Sequence, residues 1–313
     1  MEDMLATALQ SVRQAAQICT QVQNNLVSDD TLIKKDRSPV TVADYASQAM
    51  ICTILKNHFP DIQIVGEEDA AELREPEKRE LLDKIKSFLS GWSDEAILNG
   101  IDFGNGQPAE TFWTLDPIDG TKGFLRGQQY AVALALIKNG QPVLGVLGCP
   151  NLGERGTLQY AIEGQGAFSS ALYDDEFSKV HVSESNPDLP VRFLESVESG
   201  HSDHGLQGQI KANYGQRSVS VRYDSQVKYA VMSRGEADVY LRLPNPNQPD
   251  YREKIWDHAA GVAIVRAAGG KVTDISGDEL DFSAGKKLSN NRGVVVTNGL
   301  LHDEIIQLIR KQQ

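Results

Sequence analysis

The chain has 313 residues, 40% of them hydrophobic, and a formal net charge of −12. That length allows one large domain or two, and that apolar content is enough for a real core. The acidic balance argues against a nucleic-acid or membrane-surface partner, which wants a basic patch, but not against a small anionic substrate, since bound metal ions invert the local sign of charge.

Cys19, Cys52 and Cys149 are sparse, odd in number and without metal-binding spacing. They read as small buried thiols in a reducing compartment, and the expectation is a cytoplasmic monomer. No run of 18 apolar residues marks a membrane span. Met1-Glu2-Asp3-Met4 lacks the basic start of a secretion signal, and no internal repeat is found.

Residues 3–26 keep a helical apolar period through Leu5, Leu9, Val12, Ala16 and Cys19. A charged loop ending at Pro39 precedes a second expected helix, 42–58. Thr41 and Asp44 have capping-box spacing, so on the residues alone Asp44 reads as a helix cap. Residues 61–65 read as a short strand running into Gly66-Glu67-Glu68-Asp69. Such a strand end can present a carboxylate at a cleft or form a solvated acidic turn. Residues 72–89 read as a charged helix and 90–107 as a Gly- and Asp-rich loop; Asp94, Glu95 and Asp102 are left out of any site.

The aromatic, β-branched run Thr111-Phe-Trp-Thr-Leu115 reads as a strand that Asp116-Pro117 stops. Then come Ile118-Asp119-Gly120-Thr121-Lys122-Gly123-Phe124. Two carboxylates three positions apart, with the Ile118 carbonyl between them, are hard oxygen ligands of the kind Mg²⁺ takes while keeping water and phosphate in its open positions. Gly120 lets the backbone approach closely, so N–H groups around Gly120-Thr121 can cradle a phosphate. The aspartyl-phosphate phosphatase motif, D-x-D-G-T, fits less well, because Pro117 and Ile118 put its nucleophile and acid out of register.

Residues 131–137 and 143–147 flank Asn139-Gly140, a strong hairpin signal, and 157–162 and 166–169 form another hairpin. The first half reads as two helices on an antiparallel sheet. A composition shift over 169–178 suggests domains 1–175 and 176–313. The second half alternates strand and helix, which argues α/β. Its expected strands are 191–197, 218–223, 238–243 and 294–296. His201 follows the first of them. Asp224-Ser225-Gln226-Val227-Lys228 opens a helix, where Ser225 and Lys228 at i, i+3 share a face and, with the helix N–H groups, suit an anion; Asp224 fits its cap. Arg242 ends a strand and suits bidentate phosphate contact. Asp257 stands at the N-cap position of an apolar helix running to Ala268. Residues 300–310 close the chain as a helix.

The run D-P-I-D-G-T-K-G-F, with the H-S, D-S-Q-x-K-Y and W-D-H-A-A-G strings, resembles the Mg²⁺-dependent, Li⁺-sensitive phosphomonoesterases, most of all the bisphosphate nucleotidase branch. The resemblance covers nearly the whole chain. It implies a layered αβαβα sandwich of the inositol monophosphatase/fructose-bisphosphatase type. It implies that Glu67, Asp116, Ile118, Asp119 and Asp257 bind two or three Mg²⁺, with Glu68 supporting Glu67. Asp44 and Thr121 orient the attacking water, and Gly120 and Thr121 meet the phosphate. His201 contacts the sugar phosphate; Ser225, Lys228 and Arg242 hold the phosphate that is not cleaved; His258 has no needed role. The implied substrate is the small phosphonucleotide adenosine 3′,5′-bisphosphate, giving AMP, with its phosphosulfate precursor also used. Two rivals are an inositol phosphate phosphatase and a non-catalytic phosphonucleotide sensor. Five carboxylates in one pocket need cations in any case, since two like charges roughly 4 Å apart repel by about 4 kcal/mol at an effective dielectric near 20.

Overall fold

Strands with two apolar faces need cover on both sides, and this chain supplies it with five layers. The computed structural model describes residues 1–26, 38–184, 189–197 and 204–312. The first half contains α1 (Glu2–Leu26), α2 (Ser38–His58), β1 (Gln63–Gly66), α3 (Arg79–Phe88), α4 (Asp94–Asp102), β2 (Thr111–Asp119) and α5 (Thr121–Leu125). A meander follows: β3 (Ala131–Lys138), β4 (Gln141–Cys149), β5 (Thr157–Ile162), β6 (Gly166–Ala171) and β7 (Ser178–Val180). The second half contains β8 (Val191–Glu195), α6 (His204–Ala212), β9 (Ser218–Arg222), α7 (Val227–Ser233), β10 (Val239–Arg242), α8 (Ala259–Ala267), β11 (Lys271–Thr273), β12 (Val294–Thr297) and α9 (His302–Gln312).

Strands β1 to β7 form one sheet in sequence order, with β1 parallel to β2 and the other pairs antiparallel. The second sheet has the order β11-β12-β10-β8-β9. Side-chain alternation assigns the layers. In β3, Val132, Leu134 and Leu136 pack toward α1 and α2. Ala131, Ala133, Ala135 and Ile137 pack the other way, with α7 and α8. In β12, Val294 and Val296 join that middle core while Val295 faces α6 and α9. The middle helices are buried on every side, as a layer between two sheets must be. Small residues let α8 approach: a Cβ on Gly145 of β4 would lie 2.6 Å from the Ala260 carbonyl oxygen. The αβαβα sandwich expected from the sequence is therefore the fold.

Several boundaries differ from expectation for identifiable reasons. Helix α2 starts at Ser38, because Pro39 is tolerated in a first turn. Asp44 thus sits in the helix interior and is not its cap. Strand β2 does not stop at Asp116-Pro117. It continues to Asp119, and its ladder with β3 breaks between Asp116 and Asp119, where the missing proline N–H is not needed. The helix expected over 72–89 is split by Pro76 into two 3₁₀ turns and α3. The expected loop 90–107 holds α4, capped by Ser93, whose hydroxyl accepts from the Ala96 N–H at 3.1 Å. Helix α8 is capped at His258, one residue after Asp257. The Asn139-Gly140 hairpin is as expected, with both φ positive (51° and 73°). The first sheet runs on through β7, past residue 175. Strands β7 and β11 and helix α6 have no counterpart in the sequence reading.

Candidate active site

Parallel β1 and β2 are paired Gly66 to Leu115, so their C-terminal ends reach the same edge. Glu67 follows one strand, and Asp116 and Asp119 end the other. Asp257 comes to them from the start of α8. All four line one cavity of about 280 Å³, with Ile118, Gly120, Thr121, Ser225, Lys228 and Arg242 among its other walls. Gly120 turns the chain from β2 into α5 at φ +97°, and a Cβ there would lie 2.9 Å from the Ser225 Cβ. Only glycine meets both demands.

The carboxylates are uncomfortable without counter-charge. Burial, then repulsion by Glu67, Asp119, Asp257 and Asp44, holds the Asp116 proton far more tightly than usual. Asp257 is pushed up by burial, Asp119 and Glu67, against the pull of Arg242. Glu67 stands at the mouth of the cleft, yet loss of water and then Asp119 raise its pKa too. Burial raises Asp119 despite Lys228 and the Gln226 N–H. Asp44, 8% exposed, does not line the cavity, and burial, then Glu68 and Glu67, pushes its pKa up. Burial, Glu67, Asp69 and Glu72 take Glu68 to about 7.

This donor set suits a hard divalent cation: it is all oxygen, and it is like-charged. Among the described residues no three His, Cys, Asp or Glu side chains converge closely enough to enclose an ion by themselves. Mg²⁺ does not require that, because one or two carboxylates with water and phosphate oxygens complete its shell.

Across the cavity, Lys228 is 3% exposed, with its ammonium 3.5 Å from both the Ser196 hydroxyl and the Tyr223 carbonyl. These long contacts leave a buried cation poorly satisfied, which favours an anion in the cavity. Burial lowers its pKa to about 8, with Asp119 resisting and Arg242 assisting. Ser225 has left-handed backbone (φ 61°), and its hydroxyl accepts from the Val227 N–H at 3.2 Å. Asp224 does not cap the helix. It pairs with Arg126 at 2.8 Å and accepts the Val197 N–H at 3.0 Å. Arg242 borders the cavity, but its fork is held by Glu253 at 3.1 and 3.0 Å. His201 lies outside the described residues.

Three features escaped the sequence reading. Gln48, one turn after Asp44 on α2, accepts the Glu68 N–H at 3.1 Å and donates to the Ile101 carbonyl at 3.0 Å, clamping the loop that carries Glu67. Gln226 donates its backbone N–H to Asp119 at 2.7 Å. His258 is not idle: it bridges the Tyr229 hydroxyl at 2.6 Å and Glu253 at 3.3 Å. Burial opposes the Glu253 charge, but His258 and Arg242 outweigh it and take its pKa to about 2. No local pattern signals such tertiary bonds.

The model of the inositol monophosphatase family matches residues 1–313. The chain is 40% identical to 3′(2′),5′-bisphosphate nucleotidase 2 of Candida albicans, over 97% of this chain and 96% of that one. It is also 40% identical to the 3′(2′),5′-bisphosphate nucleotidase of Dictyostelium discoideum (98% and 96%) and 43% identical to that of Emericella nidulans (95% of each). Among solved structures, it superposes on an inositol monophosphatase from Anabaena with a TM-score of 0.65 at 21% identity, over 99% and 96% of the two chains. For CysQ from Bacteroides thetaiotaomicron the TM-score is 0.66 at 22% identity, over 96% and 98%.

Proposed function

The chain belongs to the inositol monophosphatase family, and from that premise we propose that it is a Mg²⁺-dependent 3′(2′),5′-bisphosphate nucleotidase. It removes the 3′-phosphate of adenosine 3′,5′-bisphosphate to give AMP and phosphate, and acts likewise on the 3′-phosphate of the phosphosulfate precursor. The observation that carries this is one cavity with a carboxylate wall (Glu67, Asp116, Asp119, Asp257) facing a buried ammonium, Lys228, beside Ser225. A monophosphate needs only the first wall; a second phosphate gives the other a use. The names of the relatives at about 40% identity support the same substrate.

Glu67, Asp116, the Ile118 carbonyl, Asp119 and Asp257 would hold two or three Mg²⁺. When bound, these cations neutralise the carboxylates and the phosphate and acidify a water. The chain's own residues do the rest. Thr121, in the cavity wall, would orient the attacking water, with Asp44 helping to orient and deprotonate it from outside the cavity lining; the water attacks phosphorus directly, with no phosphoenzyme. The backbone at Gly120-Thr121 cradles the phosphate that leaves. Ser225 and Lys228 hold the other, at a cavity border where the Arg242 fork is already taken by Glu253; His201, outside the described residues, is expected to contact the sugar phosphate. Li⁺ inhibits by competing for a cation position.

The test is phosphate release with Mg²⁺ from adenosine 3′,5′-bisphosphate, inositol 1-phosphate and inositol 1,4-bisphosphate, each with and without Li⁺. Fast, Li⁺-sensitive release from the nucleotide, with AMP as product, is the expected result. Preference for an inositol phosphate would overturn the roles of Ser225 and Lys228. No release from any would turn the reading toward a sensor. Among the described residues no helix is long and apolar enough to cross a membrane.

A further inference from the structure

Gln226 is 1% exposed, and every polar group it carries toward the site is used. Its backbone N–H donates to the Asp119 carboxylate at 2.7 Å. Its side-chain nitrogen donates to the Trp256 carbonyl at 2.9 Å, and its side-chain oxygen accepts the Gly261 N–H at 3.0 Å. Trp256 directly precedes Asp257. Gly261 lies in the first turn of α8, whose N–H groups have no partner within the helix. One residue therefore grips Asp119 through its main chain and the segment bearing Asp257 through its side chain, on either side of that carboxylate.

The grip matters because the two groups repel. Asp119 is the foremost charge acting on Asp257. They come from different layers, β2 and α8, and no main-chain pairing of those elements fixes their separation. We propose that Gln226 is a positioning residue that sets the separation of Asp119 and Asp257 and so preforms this part of the cation site. This rests on the reading of the carboxylate wall as a cation site. Groups that orient metal ligands from behind change metal affinity by about 10- to 100-fold when removed.

The test is Mn²⁺ titration of the metal-free protein, followed by the electron paramagnetic resonance of free Mn²⁺, in the wild type, Gln226→Met and Gln159→Met. Gln159 is the control. It is fully buried and clamps the far end of α7, the helix that Gln226 opens, donating to the Ala230 carbonyl at 3.1 Å and accepting from the Ser233 hydroxyl at 2.9 Å, and these partners are not carboxylates. Both substitutions should lower the melting temperature, but only Gln226→Met should weaken Mn²⁺ binding, by at least tenfold. Affinity within twofold of wild type in Gln226→Met, or equal weakening in both variants, would overturn the proposal. A wild type that binds no Mn²⁺ would instead sink the cation reading beneath it. Should Gln226→Met fail to fold, Gln226→Asn keeps the main-chain grip and an amide that no longer reaches both partners; it should bind Mn²⁺ at least threefold more weakly, and unchanged binding would count against the proposal.

Discussion

Individual carboxylates here are costly to the metal-free protein and are kept nonetheless. Asp116 is the clearest case, at 2% exposure with four acidic neighbours raising its pKa. Asp116→Asn keeps an oxygen for the Ile118 N–H, now 3.1 Å from Asp116, while removing a charge. The variant should melt higher than wild type in chelator, by about 2 °C for each kcal/mol of repulsion relieved. Its turnover should fall by roughly two orders of magnitude or more, since a proposed cation ligand is weakened. A lower melting temperature in chelator would contradict this account of the wall. Lys228 gives the converse signature. Its folded pKa, about 8, lies below the usual lysine value, so its ammonium is lost as pH rises through about 8. Since kcat/KM reports the free enzyme, that for the bisphosphate should decline above that pH by up to about tenfold per unit, and Lys228→Met should lose this limb.

At the scale of elements, the site depends on where helix and strand ends are pinned. Helix α2 carries Asp44 and, a turn later, Gln48, which holds the Glu67–Glu68 loop against α4. Gln48→Leu leaves the Glu68 N–H and the Ile101 carbonyl without these partners. It should destabilise by about 2–3 kcal/mol in urea unfolding, and a loss under about 0.5 kcal/mol would show that the clamp does little. The elements themselves were largely legible, because continuous apolar runs such as Ala131–Ile137, buried on both faces, and the Asn139-Gly140 turn are local signals. So was the candidate site, to the extent that its residues sit on motifs: Asp116, Asp119, Ser225 and Lys228 do line one cavity. What could not be read was decided by tertiary contact. The residues of α4 look like a loop until Ser93 caps them and Ile97 and Ile101 are buried. Asp44 looks like a cap until Pro39 enters the helix ahead of it. Arg242 looks free for phosphate until Glu253, eleven residues on, takes its fork.

For the whole molecule, the two sheets share one middle core, so stability and site geometry are linked through α7 and α8. A pH effect on the fold should come from His302, which ties α9 to β11 and β12 through the Thr273 hydroxyl at 2.8 Å and the Thr297 hydroxyl at 3.0 Å. Thr273 gives its own proton to the Asp274 carbonyl, so it accepts from the imidazole; Thr297 then donates to the other ring nitrogen. Both nitrogens are satisfied only in the neutral ring. Burial, with Lys271 assisting, lowers the His302 pKa to about 4. Below about 6.5 the unfolded chain therefore takes up a proton that the folded chain refuses, and stability falls as pH drops from there toward 4. The urea midpoint should fall over that range, and less so in His302→Gln; an equal fall in both would assign the effect elsewhere. Whether one cavity cleaves one phosphate while holding a second is decided by kcat/KM for adenosine 3′,5′-bisphosphate over that for adenosine 3′-monophosphate, in the wild type and in Lys228→Met. The wild type should prefer the bisphosphate, and that preference should shrink by about 10- to 100-fold in the variant, the worth of a hydrogen bond to a charged group. A wild type indifferent to the second phosphate, or a preference that survives the loss of Lys228, would contradict that role for the cavity.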